Sequence, residues 1–178
     1  PHATCPPAHT PPVLSFPRRR IGSGKWGTGG QKAGSGLCTF DSFLGPIGLA
    51  WTPRGISRLE IGHPTAEATR ATLRLHQPDL TVPRPLPEVV RTTIKRLKTQ
   101  LRGGADGLTN IPVDLGQRSD YSKQVLKQLR RVKPGQVVTY GELAKRCGKP
   151  GAARAIGRIM GANPVPVIVP CHRCLGAN

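Results

Sequence analysis

Thr139-Tyr140-Gly141-Glu142-Leu143-Ala144-Lys145-Arg146-Cys147-Gly148-Lys149-Pro150-Gly151-Ala152-Ala153-Arg154-Ala155-Ile156-Gly157-Arg158-Ile159-Met160 is the stretch on which the architecture turns. Gly141–Cys147 reads as a short helix with Leu143 and Ala144 facing inward. Gly148-Lys149-Pro150-Gly151 is a turn, because two glycines and a proline break the period. Ala152–Met160 reads as a second helix of small residues, with Arg154 and Arg158 projecting. Helix, short turn, helix is the pattern of a helix-turn-helix, whose second helix enters a DNA groove. Ala152, Ala153, Ala155 and Gly157 offer few hydrogen-bonding groups to a major groove. Small residues let a backbone come close, which suits a minor groove or a distorted duplex.

The flanks extend this reading. Upstream, Ser119–Val132 is amphipathic: Val125, Leu126, Leu129 and Val132 face inward, and Lys123, Lys127, Arg130 and Arg131 face out. Ser119 or Asp120 can cap it, and Pro134-Gly135 ends it. Downstream, Asn163-Pro164-Val165-Pro166-Val167-Ile168-Val169-Pro170-Cys171-His172-Arg173 delivers a cysteine beside a histidine. Val167-Ile168-Val169 is expected to form a buried strand stopped by Pro170, holding Cys171 at its rigid mouth. A buried cysteine is more often a small hydrophobe than a nucleophile. A thiol tethered to a DNA reader, however, points to chemistry on a base.

The first half has a different texture. Leu37–Leu44, Ile47–Thr52 and Ile56–Ile61 read as an antiparallel meander broken at Gly45-Pro46 and Pro53-Arg54-Gly55. Pro64–Leu75 has helical composition, with Ala66, Ala68, Ala71 and Leu75 at helical spacings. Pro87–Leu101 is the next helix, its stripe formed by Val90, Ile94, Leu97 and Leu101. Thr109–Leu115 is a candidate last strand. Residues 1–34 are Pro-rich and then Gly-rich, carry five Lys/Arg and no acid, and read as a disordered basic extension. The expected fold class is α+β: a small antiparallel sheet domain with helices at 35–115, then an α-helical, winged-helix-like DNA-binding domain at 116–178.

Charge is concentrated. The chain carries +18, and residues 116–178 alone hold twelve Lys/Arg against two acids. That balance speaks to partners, with nucleic acid the natural one. No apolar run reaches the roughly 18 residues of a membrane span, so no membrane association is expected. The five cysteines, an odd number without a secretory signal, read as reduced thiols of an intracellular protein.

Four spaced motifs resemble the O6-alkylguanine-DNA alkyltransferases, the methylated-DNA–protein-cysteine methyltransferase family. They are Thr139–Ala144, Ala152–Gly157, Asn163–Pro166 and Pro170–Arg173. A looser resemblance covers Phe40–Gly48 and Gly55–Leu59. The resemblance implies DNA repair by direct, stoichiometric transfer of the alkyl group from O6-alkylguanine, and in some cases O4-alkylthymine, in double-stranded DNA. It implies Cys171 as acceptor, His172 as base acting through a water, and Asn163 as the residue that ties the turn and bonds the site. Tyr140 would help rotate the nucleotide, and Arg154 would fill the vacated stack. Ala153 and Gly157 would belong to the DNA-facing helix, and Met160 and Pro166 would wall the pocket. The carbonyls of Cys171 and Cys174 would accept from the guanine amine. No cofactor and no metal is implied, since the lesion supplies the alkyl group. The protein would act as a monomer in the cytoplasm, at the nucleoid of a bacterium, or in the nucleus of a eukaryote.

Two features depart from the family pattern. In the family the Cys-His motif is followed by a substrate loop, a closing helix and a Glu that completes a Cys-water-His-Glu relay. The sequence stops at Asn178, and a chain ending there is expected to transfer weakly or not at all. Cys174 stands where an aliphatic residue is usual. It makes Cys171-His172-Arg173-Cys174 look like half a zinc site, short of the four ligands zinc takes. Two other readings stand beside the enzyme: an alkyltransferase-like protein that binds the lesion without transfer, and a nucleic-acid binder without lesion preference.

Overall fold

The computed structural model describes residues 34–104 and 108–176. The basic extension read at 1–34 therefore lies, but for Gly34, outside the described residues. The meander forms as expected. β1 (Gly36–Ser42), β2 (Gly45–Thr52) and β3 (Gly55–Glu60) pair antiparallel in sequence order, with a register shift at Ala50/Trp51. Leu37, Ile47, Leu49, Ala50, Trp51 and Ile56 are fully or almost fully buried.

Helix α1 (Ala66–His76) lies on β2. Its N-cap Thr65 accepts from the Ala68 N–H at 3.1 Å. Closeness is set at Gly48, where an added Cβ would stand 2.8 Å from Leu73 Cδ1 and Thr69 Cγ2. The inward face of α1 is therefore Thr69 and Leu73 rather than the alanine spacing, and Leu75 is 82% exposed. Thr69 tolerates burial because its hydroxyl donates to the Thr65 carbonyl at 2.8 Å.

Helix α2 (Glu88–Leu101) follows Pro87, whose carbonyl accepts from the Val90 and Arg91 N–H groups. Val90 and Leu97 are buried, and Ile94 and Leu101 pack at the edge of the core, as the stripe predicts. Thr109–Leu115 is not a regular strand. Leu108–Asn110 is a 3-10 turn, after which the chain pairs with β3 through one parallel bridge, Ile56 to Val113. Two hydrogen bonds frame the bridge: Ile56 N–H to Pro112 O at 2.9 Å and Asp114 N–H to Ile56 O at 2.8 Å. Pro112 has no N–H to extend the ladder. Gly55, at φ +143°, is required there, since a Cβ would stand 2.5 Å from the Pro112 carbonyl.

The second half is helical. Helix α3 (Asp120–Leu129) is capped by Ser119 and buries Val125, Leu126 and Leu129. Helices α4 (Tyr140–Arg146) and α5 (Ala153–Gly161) form the helix-turn-helix pair, burying Leu143 and Ala144 from one and Ile156 and Met160 from the other. Buried residues of both halves belong to one apolar cluster, from Cys38 through Leu126 to Cys174. Arg130 locks the halves together, donating from Nη2 to the carbonyls of Leu108, Thr109 and Ile111 at 3.1, 2.7 and 2.7 Å. No helix among the described residues is long and apolar enough to cross a membrane.

Candidate active site

The site is assembled by two short strands distant in sequence. β4 (Val138–Thr139) and β5 (Cys174–Leu175) pair in parallel, Val138 opposite Cys174 and Thr139 opposite Leu175. Each strand borders a candidate residue: Tyr140 opens α4 directly after β4, and the Cys171–Arg173 turn runs directly into β5. The pairing therefore brings the start of α4 to the cysteine turn.

The entry to α4 is fixed by a capping box. Thr139 Oγ1 accepts from the Glu142 N–H at 3.1 Å, and Glu142 Oε2 accepts from the Thr139 N–H at 2.9 Å. The Thr139 N–H, and then the Thr139 hydroxyl donating to the same Oε2 at 3.1 Å, hold the Glu142 carboxyl below its ordinary pKa. The Tyr140 ring extends over α5 at Gly157, where a Cβ would sit 3.9 Å from Tyr140 Cε2. Ala153 and Gly157 are half-buried, whereas Arg154 and Arg158 are exposed. Met160 is buried, and Pro166 half-buried.

The expected Val167–Val169 strand does not form. In its place stand two successive three-residue turns. The first is centred on Val167 at φ +70°, with Ile168 N–H donating to Pro166 O at 2.8 Å. The second is centred on Pro170 (φ −78°, ψ 70°), with Cys171 N–H donating to Val169 O at 2.9 Å, an inverse γ-turn. The cause is the proline framing. Pro166 and Pro170 have no N–H and a fixed φ, so three β-branched residues between them cannot build a ladder. A positive φ at a valine is a strained state that persists only where surrounding bonds enforce it. Asn163 supplies them: its Nδ2 donates to Val169 O at 2.9 Å and its Oδ1 accepts from the Val165 N–H at 3.2 Å. Val169 N–H donates to Val165 O at 2.9 Å, and Leu59 N–H donates to Pro164 O at 2.8 Å, joining the loop to β3.

Cys171–Arg173 is a 3-10 turn closed by the Cys174 N–H on the Cys171 carbonyl. That carbonyl keeps one further lone pair. Arg173 Nη1 donates to Val132 O at 2.9 Å, tying the turn to the segment after α3. Nothing in the sequence marks this contact. The capping box, by contrast, carries its usual Thr-x-x-Glu sign at Thr139 and Glu142, which the sequence reading passed over.

The thiols differ. Cys171 is half-buried, whereas Cys38, Cys147 and Cys174 are buried. Burial, and then neighbouring Cys171, push the Cys174 thiol up to about 11. Burial also raises Cys147, and lifts Cys38 to about 12. His172 is exposed at the residue level, yet loss of part of its ring hydration and then the Arg173 charge lower its pKa below the ordinary value. A neutral imidazole is thereby favoured near pH 7. Among the described residues no hydrogen bond joins the Cys171 thiol to the His172 ring, and no three His, Cys, Asp or Glu residues are grouped to hold a metal ion.

The arrangement is a half-buried thiol on a pinned loop, with an imidazole next in the chain, a phenol across a two-stranded ladder and a small-residue helix beside it. Residues 120–178 match the family described as 6-O-methylguanine DNA methyltransferase, DNA binding domain. The methylated-DNA–protein-cysteine methyltransferase of Mycobacterium tuberculosis H37Rv is 34% identical over 141 residues, covering 79% of this chain and 78% of the relative. That of Shigella flexneri is 40% identical over 83 residues, covering 47% of this chain and about half (48%) of the relative. The fold is similar to a crystal structure of the M. tuberculosis protein in complex with DNA, with a TM-score of 0.58 and 28% identity over 79% of this chain and 78% of that one. The chain belongs to the methylated-DNA–protein-cysteine methyltransferase family.

Proposed function

We propose that the protein repairs alkylated DNA by moving an alkyl group from the O6 position of guanine to the Sγ of Cys171. The observation that carries this reading is the parallel pairing of β4 and β5, which draws Tyr140, at the start of α4, to the cysteine turn. A thiolate attacks the alkyl carbon in line, the carbon–oxygen bond breaks, its electron pair stays on guanine O6, and the guanine anion takes up a proton at N1 from water. The product is a thioether, which has no ready route back, so each chain acts once. The nucleophile must be a thiolate, and a free thiol supplies little of it at neutral pH. His172, favoured as the neutral imidazole, accepts the thiol proton through a water molecule.

The O6 carbon cannot be reached inside a stacked duplex, so the nucleotide is turned out. Tyr140 bonds the extruded nucleotide and Arg154 fills the gap in the stack. Ala153 and Gly157 let α5 lie close to the distorted backbone. Met160 and Pro166 supply the apolar wall, and the Cys171 and Cys174 carbonyls accept from the guanine amine. Asn163 acts through the loop it pins rather than on the base. In this division of labour, 35–115 buttresses the acceptor loop and 116–178 reads the DNA and accepts the alkyl group.

The test is incubation with a duplex carrying one O6-methylguanine, followed by base analysis of the DNA. Guanine should be restored at no more than one per chain, even with lesion in excess, and not at all by Cys171→Ala. Repeated turnover, or lesion binding by both proteins with no guanine restored, overturns the proposal.

A further inference from the structure

Helix α2 takes no part in the site described, yet its outer face carries a regular row of cations. Arg91, Lys95, Lys98 and Arg102 fall at i, i+4, i+7 and i+11 and line one open groove together with Ile94, Thr99 and Gly104. The helix is otherwise short of acids. Its Glu88 is engaged by the Arg91 guanidinium and the Thr92 hydroxyl. Lys98 leans over the Phe40 ring, 5.7 Å from its centroid, which anchors it toward β1. Lys95 and Arg102 form no ion pair among the described residues.

We infer that this face of α2 is a second DNA-binding surface, which holds the phosphate backbone of duplex outside the lesion site. This rests on DNA being the partner of the family site, but not on alkyl transfer. Chemistry and spacing favour DNA over a compact anion. A single phosphate needs donors that converge on one point, whereas these four cations lie in a line. At 1.5 Å per residue the row from Arg91 to Arg102 spans about 16 Å. That is roughly five base-pair steps of the duplex axis at 3.4 Å each, long enough to meet more than one phosphate. The groove between the cations offers only Ile94 as an apolar element and has no apolar ridge to insert into a lipid surface.

The experiment measures binding of the full chain to lesion-free duplexes of about 10 and 30 base pairs across a salt series. It compares the unaltered protein with K95Q/K98Q/R102Q and with K95Q/R102Q, which leaves Lys98 on Phe40. Each lost phosphate contact lowers the slope of log affinity against log salt by about 0.9, so the triple variant should lose about 2.7 and the double about 1.8 on the longer duplex. Lysine-to-arginine exchange at 95 and 98 should restore the slope. The reaction of Cys171 with free O6-benzylguanine, which needs no duplex, should be the same in all variants. If none of the proteins restores guanine in an O6-methylguanine duplex, the alkyl-transfer reading falls, and the salt slopes still decide this one. Equal slopes for the unaltered chain and both variants, or preferential binding of an acidic protein over duplex at matched charge, overturn the inference.

Discussion

The meander of β1–β3 and the loop 163–174 solve the same problem, holding a chain still, in opposite ways. The meander uses many equivalent backbone bonds and a buried face, so no single residue dominates it. The loop has almost no repeating structure. It is held by two three-residue turns, one asparagine and one arginine that reaches a distant carbonyl. Redundancy suits a scaffold. A pinned loop suits a site, because it can present a thiol at a turn that no regular element would place there.

That contrast can be broken by mutation. The largest stability effect should come from the packed core: Leu126→Ala, at a position 1% exposed, should cost about 2–5 kcal/mol in chemical denaturation. Its folded fraction should react at Cys171 as the unaltered protein does. Asn163→Ala should cost less, about 1–3 kcal/mol, since it orphans the N–H of fully buried Val165 and leaves the Val169 carbonyl with the Cys171 N–H as its remaining donor. Its rate of alkyl transfer should nevertheless fall by more than its stability predicts. If the two variants lose rate and stability in the same proportion, the distinction between scaffold and pinned loop is wrong.

Much of the scaffold could be read in advance, because its rules are periodic. The Val90–Leu101 stripe and the Ser119 cap each follow from spacing or from a capping residue type. The errors fell where a single close contact overrode the pattern. Gly48 admits Thr69 and Leu73 and turns Leu75 outward. At the site, the residue types of Cys171, His172 and Asn163 were legible, but their setting was not. Val167-Ile168-Val169 has strand composition, and only the prolines on either side, acting with Asn163, convert it to turns. The Arg173 contact to Val132 has no sequence sign at all, since 41 residues separate the two.

Smaller effects sharpen the comparison at the junction of the two regions. Thr139→Ala removes the capping box at the start of α4 and should cost about 1 kcal/mol, read by thermal unfolding. It should slow transfer modestly by loosening Tyr140. The pH dependence should be the mildest. The His172 pKa is depressed in the folded chain, so any stability linked to its neutral form is present above the unfolded value and lost as pH falls through the folded one. The transfer rate should decline in the same window, below about pH 6.5, as the base becomes protonated. His172→Gln should remove that inflection, and an unchanged profile would exclude His172 as the proton acceptor.

The central claim is that Cys171 alone among the thiols accepts an alkyl group. Cys174 lies three residues away but is buried, with its pKa pushed up to about 11. The direct measurement is peptide mass mapping after incubation with excess O6-methylguanine duplex. The account predicts a single added methyl group per chain, located on Cys171 at whatever rate it forms. A methyl group on Cys174 or any other residue, or none with lesion in excess, would contradict it.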